Sequence, residues 1–194
     1  MHVWHGSTAW HDLVPRLLSE HGSCEVAEIG VWQGELSERI LRQCPGVHRL
    51  WLVDPWTPVY VKLADERWAV CGPGTDTAEM QDALSLVRQR IALFVDRVTI
   101  MRLPSVEAAK EIADGSLDAV LIDALHFENT VMDDIRAWLP KLRPGGLMVG
   151  DDMSDYYPGV KMGVEKVFRD QYRAVGQTWW TTKEAACSME SVPH

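Results

Sequence analysis

Short β-branched and apolar runs alternate along the chain with stretches whose apolar positions recur every three or four residues. That alternation predicts a parallel sheet covered on both faces by helices, an α/β doubly wound fold. Runs at 25–30, 49–54, 98–103, 117–123 and 147–150 read as strands. Helical spacing at 36–44, 77–94, 106–113, 130–142 and 160–171 supplies the crossovers. A further helix at 7–21, capped by Ser7 or Thr8 and bent at Pro15, precedes the first strand. Pro45-Gly46 and the run from Arg143 to Gly146 are stop signals. Residues 172–182 divide at Gly176-Gln177 into an antiparallel hairpin at the sheet edge, where Trp179 and Trp180 alternate inward and outward. Between Pro55 and Asp76 the connection is too long for an ordinary strand-to-helix loop, which suggests a lid or a substrate-facing segment. No repeat or linker intervenes. We expect a single domain over 1–194, with an amino-terminal helix in 1–23, a core over 24–183 and a poorly ordered tail from 184.

Composition narrows the function. The chain has 194 residues, 46% of them hydrophobic and 24% charged, with a formal net charge of −9. No basic run exists to neutralise phosphates, so a nucleic-acid partner is not expected. No apolar stretch approaches the ~18 residues of a membrane span, and the amino terminus lacks a signal-peptide layout. Cys24, Cys44, Cys71 and Cys187 form neither a C-x-x-C pair nor zinc spacing, which fits a reducing, cytoplasmic setting. Nine tryptophans is a high share, and some are expected to line a pocket; Trp56, Trp68, Tyr156 and Tyr157 fall in or beside loops bordering the crevice.

The first candidate chemistry lies in Glu28-Ile29-Gly30-Val31-Trp32-Gln33-Gly34, where a strand runs into a helix with glycines four apart. Gly30 allows a sharp bend and close ligand approach; Gly34 brings the helix start near. The G-x-G-x-x-G of dinucleotide folds is absent, so the turn suits a nucleoside without phosphates, its amino-acid part meeting Glu28. Asp54, ending the second strand, is placed to accept ribose hydroxyls. A plain tight turn fits both segments as well.

EIGVWQG, LVDPW, LIDALHFENTVMDDI, LRPGGLMVGDD and PGVKMGVEKVF occur in that order. Together they resemble class I S-adenosylmethionine-dependent methyltransferases, over about residues 24–183. The later segments are similar to a small-molecule subgroup with D-x-x-H and G-G-x-x-x-x-D-D motifs, which includes metal-dependent, macrocin-type sugar O-methyltransferases. The resemblance implies a Rossmann-like seven-stranded sheet of order 3-2-1-4-5-7-6 with the last strand antiparallel. It also implies that Glu28, Gly30, Gly34 and Asp54 hold the cofactor and that Leu103 to Ser105, here Leu-Pro-Ser, meets adenine, making Pro104 and Ser105 cofactor contacts.

Asp123 ends the fourth strand, while Asp151 and Asp152 follow the fifth, so all three open into the same crevice. Three carboxylates there repel unless protons or a cation intervene, and a hard divalent ion such as Mg²⁺ resolves the conflict. The alternative is that one of the Asp151-Asp152 pair caps a turn and Asp123 bonds a backbone amide. Asp123 also borders the cofactor and the reacting groups. His126, three residues on, is either a capping residue or the base that takes the acceptor's proton. The remaining histidines (His2, His5, His11, His21, His48 and His194) are expected to be solvated.

The expected function is methyl transfer from S-adenosylmethionine to a hydroxyl of a small molecule, a sugar or another metal-chelating alcohol, assisted by a divalent metal. A metal-independent enzyme with His126 as base, a non-catalytic S-adenosylmethionine-binding module and a nicotinamide oxidoreductase are the rivals. A homodimer stays open.

Overall fold

The computed structural model describes residues 8–62, 68–71 and 76–184, with the side chains of residues 8–9, 61–62 and 68–71 left aside. His2, His5, Cys187, His194 and most of the expected tail lie outside the described residues, as does the Trp68 side chain. In chain order the elements are α1 (Thr8–His21), β1 (Glu25–Ile29), α2 (Glu35–Gln43), β2 (Arg49–Val53), β3 (Val59–Lys62) and β4 (Trp68–Cys71). Then follow α3 (Thr77–Arg90), β5 (Val98–Met101), α4 (Ser105–Lys110), β6 (Leu117–Ile122), α5 (Glu128–Trp138), β7 (Leu142–Gly150), α6 (Pro158–Phe168), β8 (Arg173–Val175) and β9 (Thr178–Thr182).

Seven strands form one sheet in the order β5-β2-β1-β6-β7-β9-β8. Leaving out the separate β3-β4 hairpin, this is the 3-2-1-4-5-7-6 order expected. β2, β1, β6 and β7 pair in parallel, β5 joins β2 in parallel, and β9 runs antiparallel to both neighbours. Strand alternation divides the apolar residues between two cores. Val26, Leu50, Leu52 and Leu121 pack under α1–α3 with Trp10, Val14, Leu18, Ile40, Leu84 and Val87. Ala27, Ile29, Val53, Val120 and Ile122 pack under α4–α6 with Val131, Ile135, Trp138, Val164 and Phe168.

Local chemistry sets the helix limits. Asp76 caps α3, its side chain accepting from Glu79 N at 2.9 Å. The last turn of α2 is closed by a distant residue: Arg97 donates to the carbonyls of Leu41, Cys44 and Val47 at 3.0, 2.9 and 2.8 Å. This neutralises the carbonyl-rich helix end.

Three expectations need correction. The 55–76 connection carries the antiparallel hairpin β3-β4, so it is not loop throughout. The fifth sheet strand begins at Leu142 rather than Leu147, because Arg143 to Gly146 forms a bulge: Leu117 pairs with Leu142 and Ala119 with Leu147. Finally, β9 is an interior strand and not the sheet edge, which on that side is β8. Trp179 is buried beside Gly150, where a Cβ would collide with the indole, and Trp180 packs on the opposite core.

Candidate functional site

The carboxyl ends of β1, β2, β5 and β6 open into a cavity of about 510 Å³, walled by Gly30, Trp32, Asp54, Pro104, Ser105 and Asp123 among others. This is where open α/β sheets hold ligands, at the switch between crossover directions. Gly30 has φ 84°, and a Cβ there would run into the Asp123 carbonyl. Glycine is therefore demanded twice at this bend, by conformation and by the adjoining strand.

Asp54 organises the turn as well as facing the cavity. Its Oδ2 accepts from Val31 N at 3.1 Å and Trp32 N at 3.0 Å, and its Oδ1 accepts from Trp56 N at 2.7 Å. Burial pushes its pKa up, against those three amides. Trp32 and Trp56 both sit at positive φ (51° and 45°), and Trp56 Nε1 donates to Trp32 O at 2.9 Å. Two tryptophans in the left-handed region are costly, and the Asp54 carboxylate holds both.

Two expected cofactor residues lie off the cavity wall. Glu28 is 2% exposed beneath it, accepting from Ser37 Oγ at 2.6 Å. Burial pushes its pKa up to about 8. Strand alternation turns Glu28 toward α2, away from the opening. Gly34, at φ 77°, begins α2 facing Val87 of α3. Its bareness serves the approach of two helices.

The acidic cluster also differs from expectation. Asp123, His126 and Asp152 offer ligand atoms within 4.8 Å of one another. His126 Nε2 lies 3.0 Å from Asp152 Oδ2 and 3.7 Å from Asp123 Oδ1. Nevertheless, this buried nitrogen makes no well-directed hydrogen bond. Asp151 does not join them: it is 5% exposed and accepts from Thr178 Oγ1 at 3.2 Å. Adjacent residues leaving a strand diverge, which sends Asp151 toward β9 and Asp152, at φ 59°, toward His126. Burial, then the charges of Asp123 and Asp152, push Asp151 up to about 7. Asp123 is likewise raised by burial and by Asp152. For His126, burial lowers the pKa, but the adjoining carboxylates of Asp123 and Asp152 outweigh it and lift the value to about 9.

Aromatic rings flank this trio. Tyr157 lies 4.3 Å, centroid to centroid, from the His126 ring, and Tyr156 meets Tyr157 edge-on at 4.7 Å. Gly159 lets α6 approach, since a Cβ would strike the backbone of His126 to Glu128.

Three residues were not anticipated. His11 on α1 is half-buried, its pKa lowered by burial while the charges of Glu35 and Asp123 oppose that. His21 is likewise no free surface group: its Nε2 contacts Gly145 O at 2.8 Å and its Nδ1 Ser23 Oγ at 2.9 Å. Asp134 lies in the cavity wall on α5's buried face, beside Val131, Ile135 and Trp138. A carboxylate at an apolar position of that 3.6-residue pattern was the available signal.

Residues 27–153, about two thirds of the chain, match the model of a methyltransferase domain family. No curated protein matches the chain. Among solved structures, cofactor-bound Rv0187 from MTB superposes with TM-score 0.64 at 16% identity, covering 93% of this chain and 82% of that one. An O-methyltransferase from Bacillus cereus in complex with SAH gives TM-score 0.60 at 17% identity, covering 90% and 80%. Spermidine synthase from Thermotoga maritima gives 0.58 at 16%, covering 90% of this chain and 58% of that one. Those superpositions attest the fold. The family match over most of the chain, on a sheet of this strand order, makes the protein a member of the class I S-adenosylmethionine-dependent methyltransferases.

Proposed function

We propose that the protein methylates a hydroxyl group of a small molecule, with a divalent cation held by Asp123, His126 and Asp152 beside the methyl donor. One observation carries this reading: Asp123 belongs at once to the cavity wall and to the three-residue cluster. A nucleoside in the cavity and a cation at the cluster are therefore neighbours.

In this reading the nucleoside lies against Gly30, Asp54, Pro104 and Ser105. Asp54 Oδ2 already accepts two amides while Oδ1 accepts one, so Oδ1 retains a lone pair for a single ribose hydroxyl. The surplus of carboxylates around the cavity favours a sulfonium-bearing ligand. When bound, S-adenosylmethionine supplies the electrophilic methyl group and the cation supplies Lewis acidity toward the acceptor oxygen. The protein's share is alignment and exclusion of water. Holding donor and acceptor in line contributes on the order of 7–11 kcal/mol. Tyr156 and Tyr157 form the wall against which the acceptor lies.

The donor set fits a divalent ion. Two carboxylates and an imidazole with an unsatisfied Nε2 suit Mn²⁺ at least as well as Mg²⁺, which prefers oxygen throughout. The all-carboxylate set with Asp151 gives way to this one. The metal-independent alternative with His126 as base is disfavoured by the same geometry, because the two adjoining carboxylates raise His126 to about 9 and so keep it protonated at neutral pH.

The test combines cation titration with label transfer. Mn²⁺ binding to the wild type is expected to release a proton and to strengthen as pH rises from 6 to 9. Asp152→Ala is expected to abolish it and Asp151→Asn to retain it. Methyl transfer from labelled donor to a panel of vicinal diols and catechols is expected only with the cation. Undiminished Mn²⁺ affinity in Asp152→Ala would refute the cation site; cation-independent transfer would refute its part in the reaction.

A further inference from the structure

The aromatic wall beside the cation cluster continues well past the reacting atoms. Tyr157 lies 4.3 Å from the His126 ring, and Tyr156 meets Tyr157 edge-on at 4.7 Å. Exposure rises steeply along that series: the His126 side chain is 16% exposed and Tyr156 78%. Phe127, which follows His126 and is the N-cap of α5, is 42% exposed. At Gly159, α6 presses against the backbone of His126 to Glu128, so the segments that carry Tyr156 and Phe127 meet at one corner. A lone exposed ring needs no explanation, but large apolar side chains grouped beside a site mark a binding surface.

Charge narrows the occupant. The charged side chains of the adjoining cavity wall are all acids: Asp54, Glu107, Asp123, Asp133 and Asp134. Both lysines of α6 are held by neighbours, Lys166 by Glu128 and Lys161 by Glu165 at 3.9 Å. Among the described residues of that wall and of α6, none offers an unpaired cation to a phosphate or sulfate. An anionic body would meet acids there, whereas an uncharged one gains by covering the rings. Because the ring series starts at a cation ligand, a molecule whose hydroxyls reach the cluster lays its remainder along Tyr157 and Tyr156.

We infer that the acceptor is an amphiphile, a vicinal diol or catechol carrying an uncharged apolar body, which Tyr156 and Phe127 select over a phosphorylated or nucleotide-linked acceptor. The inference rests on the cation-assisted reading above and names the class of molecule that it acts on.

The test is calorimetric titration of the protein, loaded with Mn²⁺ and S-adenosylhomocysteine, with catechol, 4-butylcatechol and 2-(3,4-dihydroxyphenyl)ethanesulfonate. The last two carry tails of similar length, one apolar and one anionic. The wild type is expected to bind the butyl compound roughly tenfold more tightly than catechol, as four carbons partly leave water, and the sulfonate no more tightly than catechol. In Tyr156→Ser and Phe127→Ser the butyl preference is expected to fall to within about threefold, because half of the cover is gone. Thermal melting checks that the variants fold; if neither does, the wild-type series decides alone. A wild type that binds butylcatechol and catechol equally overturns the inference and leaves the cation-assisted reading standing. So does an undiminished preference in both folded variants, or a sulfonate that binds most tightly of the three. A wild-type dimer that Tyr156→Ser dissociates also overturns it, since a second copy then covers the rings. Binding of none of the three compounds by the loaded wild type overturns both readings.

Discussion

At the scale of single residues, Gly30 carries the tightest constraint. Its φ of 84° and the Asp123 carbonyl beneath it leave no room for a side chain. Gly30→Ala is expected to cost about 3 kcal/mol or more in urea denaturation, summing strain and overpacking. Gly22→Ala is the control: φ is 72° there, but nothing lies within 4 Å of a Cβ, so only about 1–2 kcal/mol of strain is expected. Equal losses at the two sites would contradict the steric account. Gly30 and Asp54 were legible because a strand-ending glycine and a strand-ending acid mark the crevice in any such sheet. Glu28 and Asp151 lie off the cavity wall, Glu28 against Ser37 of α2 and Asp151 against Thr178 of β9. Asp134 went unread because a carboxylate inside an apolar stripe does not say what will lie beside it once the chain folds.

At the scale of elements, the order of strands and helices followed from alternating periodicities, since the central strands β1, β6 and β7 are largely buried on both faces. What escaped was structure defined by distant partners. The Arg143 to Gly146 run reads as the stop of a helix, but α5 already ends at Trp138 and the run is a bulge inside β7, set by the register β7 adopts against β6. The same holds for Arg97, whose guanidinium closes the end of α2 from fifty residues away in sequence. Arg97→Met removes three hydrogen bonds to carbonyls at the end of α2 and the turn after it. A loss of about 2–3 kcal/mol in the urea midpoint analysis is expected, given ~1.5–3 kcal/mol for a hydrogen bond to a charged group and partial recovery by water. A loss under about half a kcal/mol, the range of ordinary surface substitutions, would mean that solvent caps α2 equally well.

At the scale of the whole molecule, buried acids set the pH response. Glu28, Asp151 and Asp134 hold their protons to about 8, 7 and 6, well above ordinary carboxyl values. Over that window the folded state binds more protons than the unfolded chain, so stability falls as pH rises. His126 acts in the same direction: raised to about 9, its contribution is full below the unfolded value near 6.5 and is lost as pH climbs through 9. The cation-free protein is therefore expected to melt at a higher temperature at pH 5.5 than at pH 8.5. Glu28→Gln should flatten the slope, and Mn²⁺ should restore stability at pH 8.5. A melting temperature that rises across this interval without cation would contradict the assigned burial of charge. Among the described residues no helix is long and apolar enough to cross a membrane.

The central claim is that the nucleoside cavity and the cation cluster adjoin through Asp123. Paramagnetic broadening of bound S-adenosylhomocysteine by Mn²⁺, followed by proton NMR in fast exchange, measures that adjacency. The account predicts strong broadening of the methylene protons next to sulfur, much weaker broadening of the adenine ring protons, and loss of both effects in Asp152→Ala. Broadening that is uniform, strongest at adenine or unchanged in the variant would contradict it.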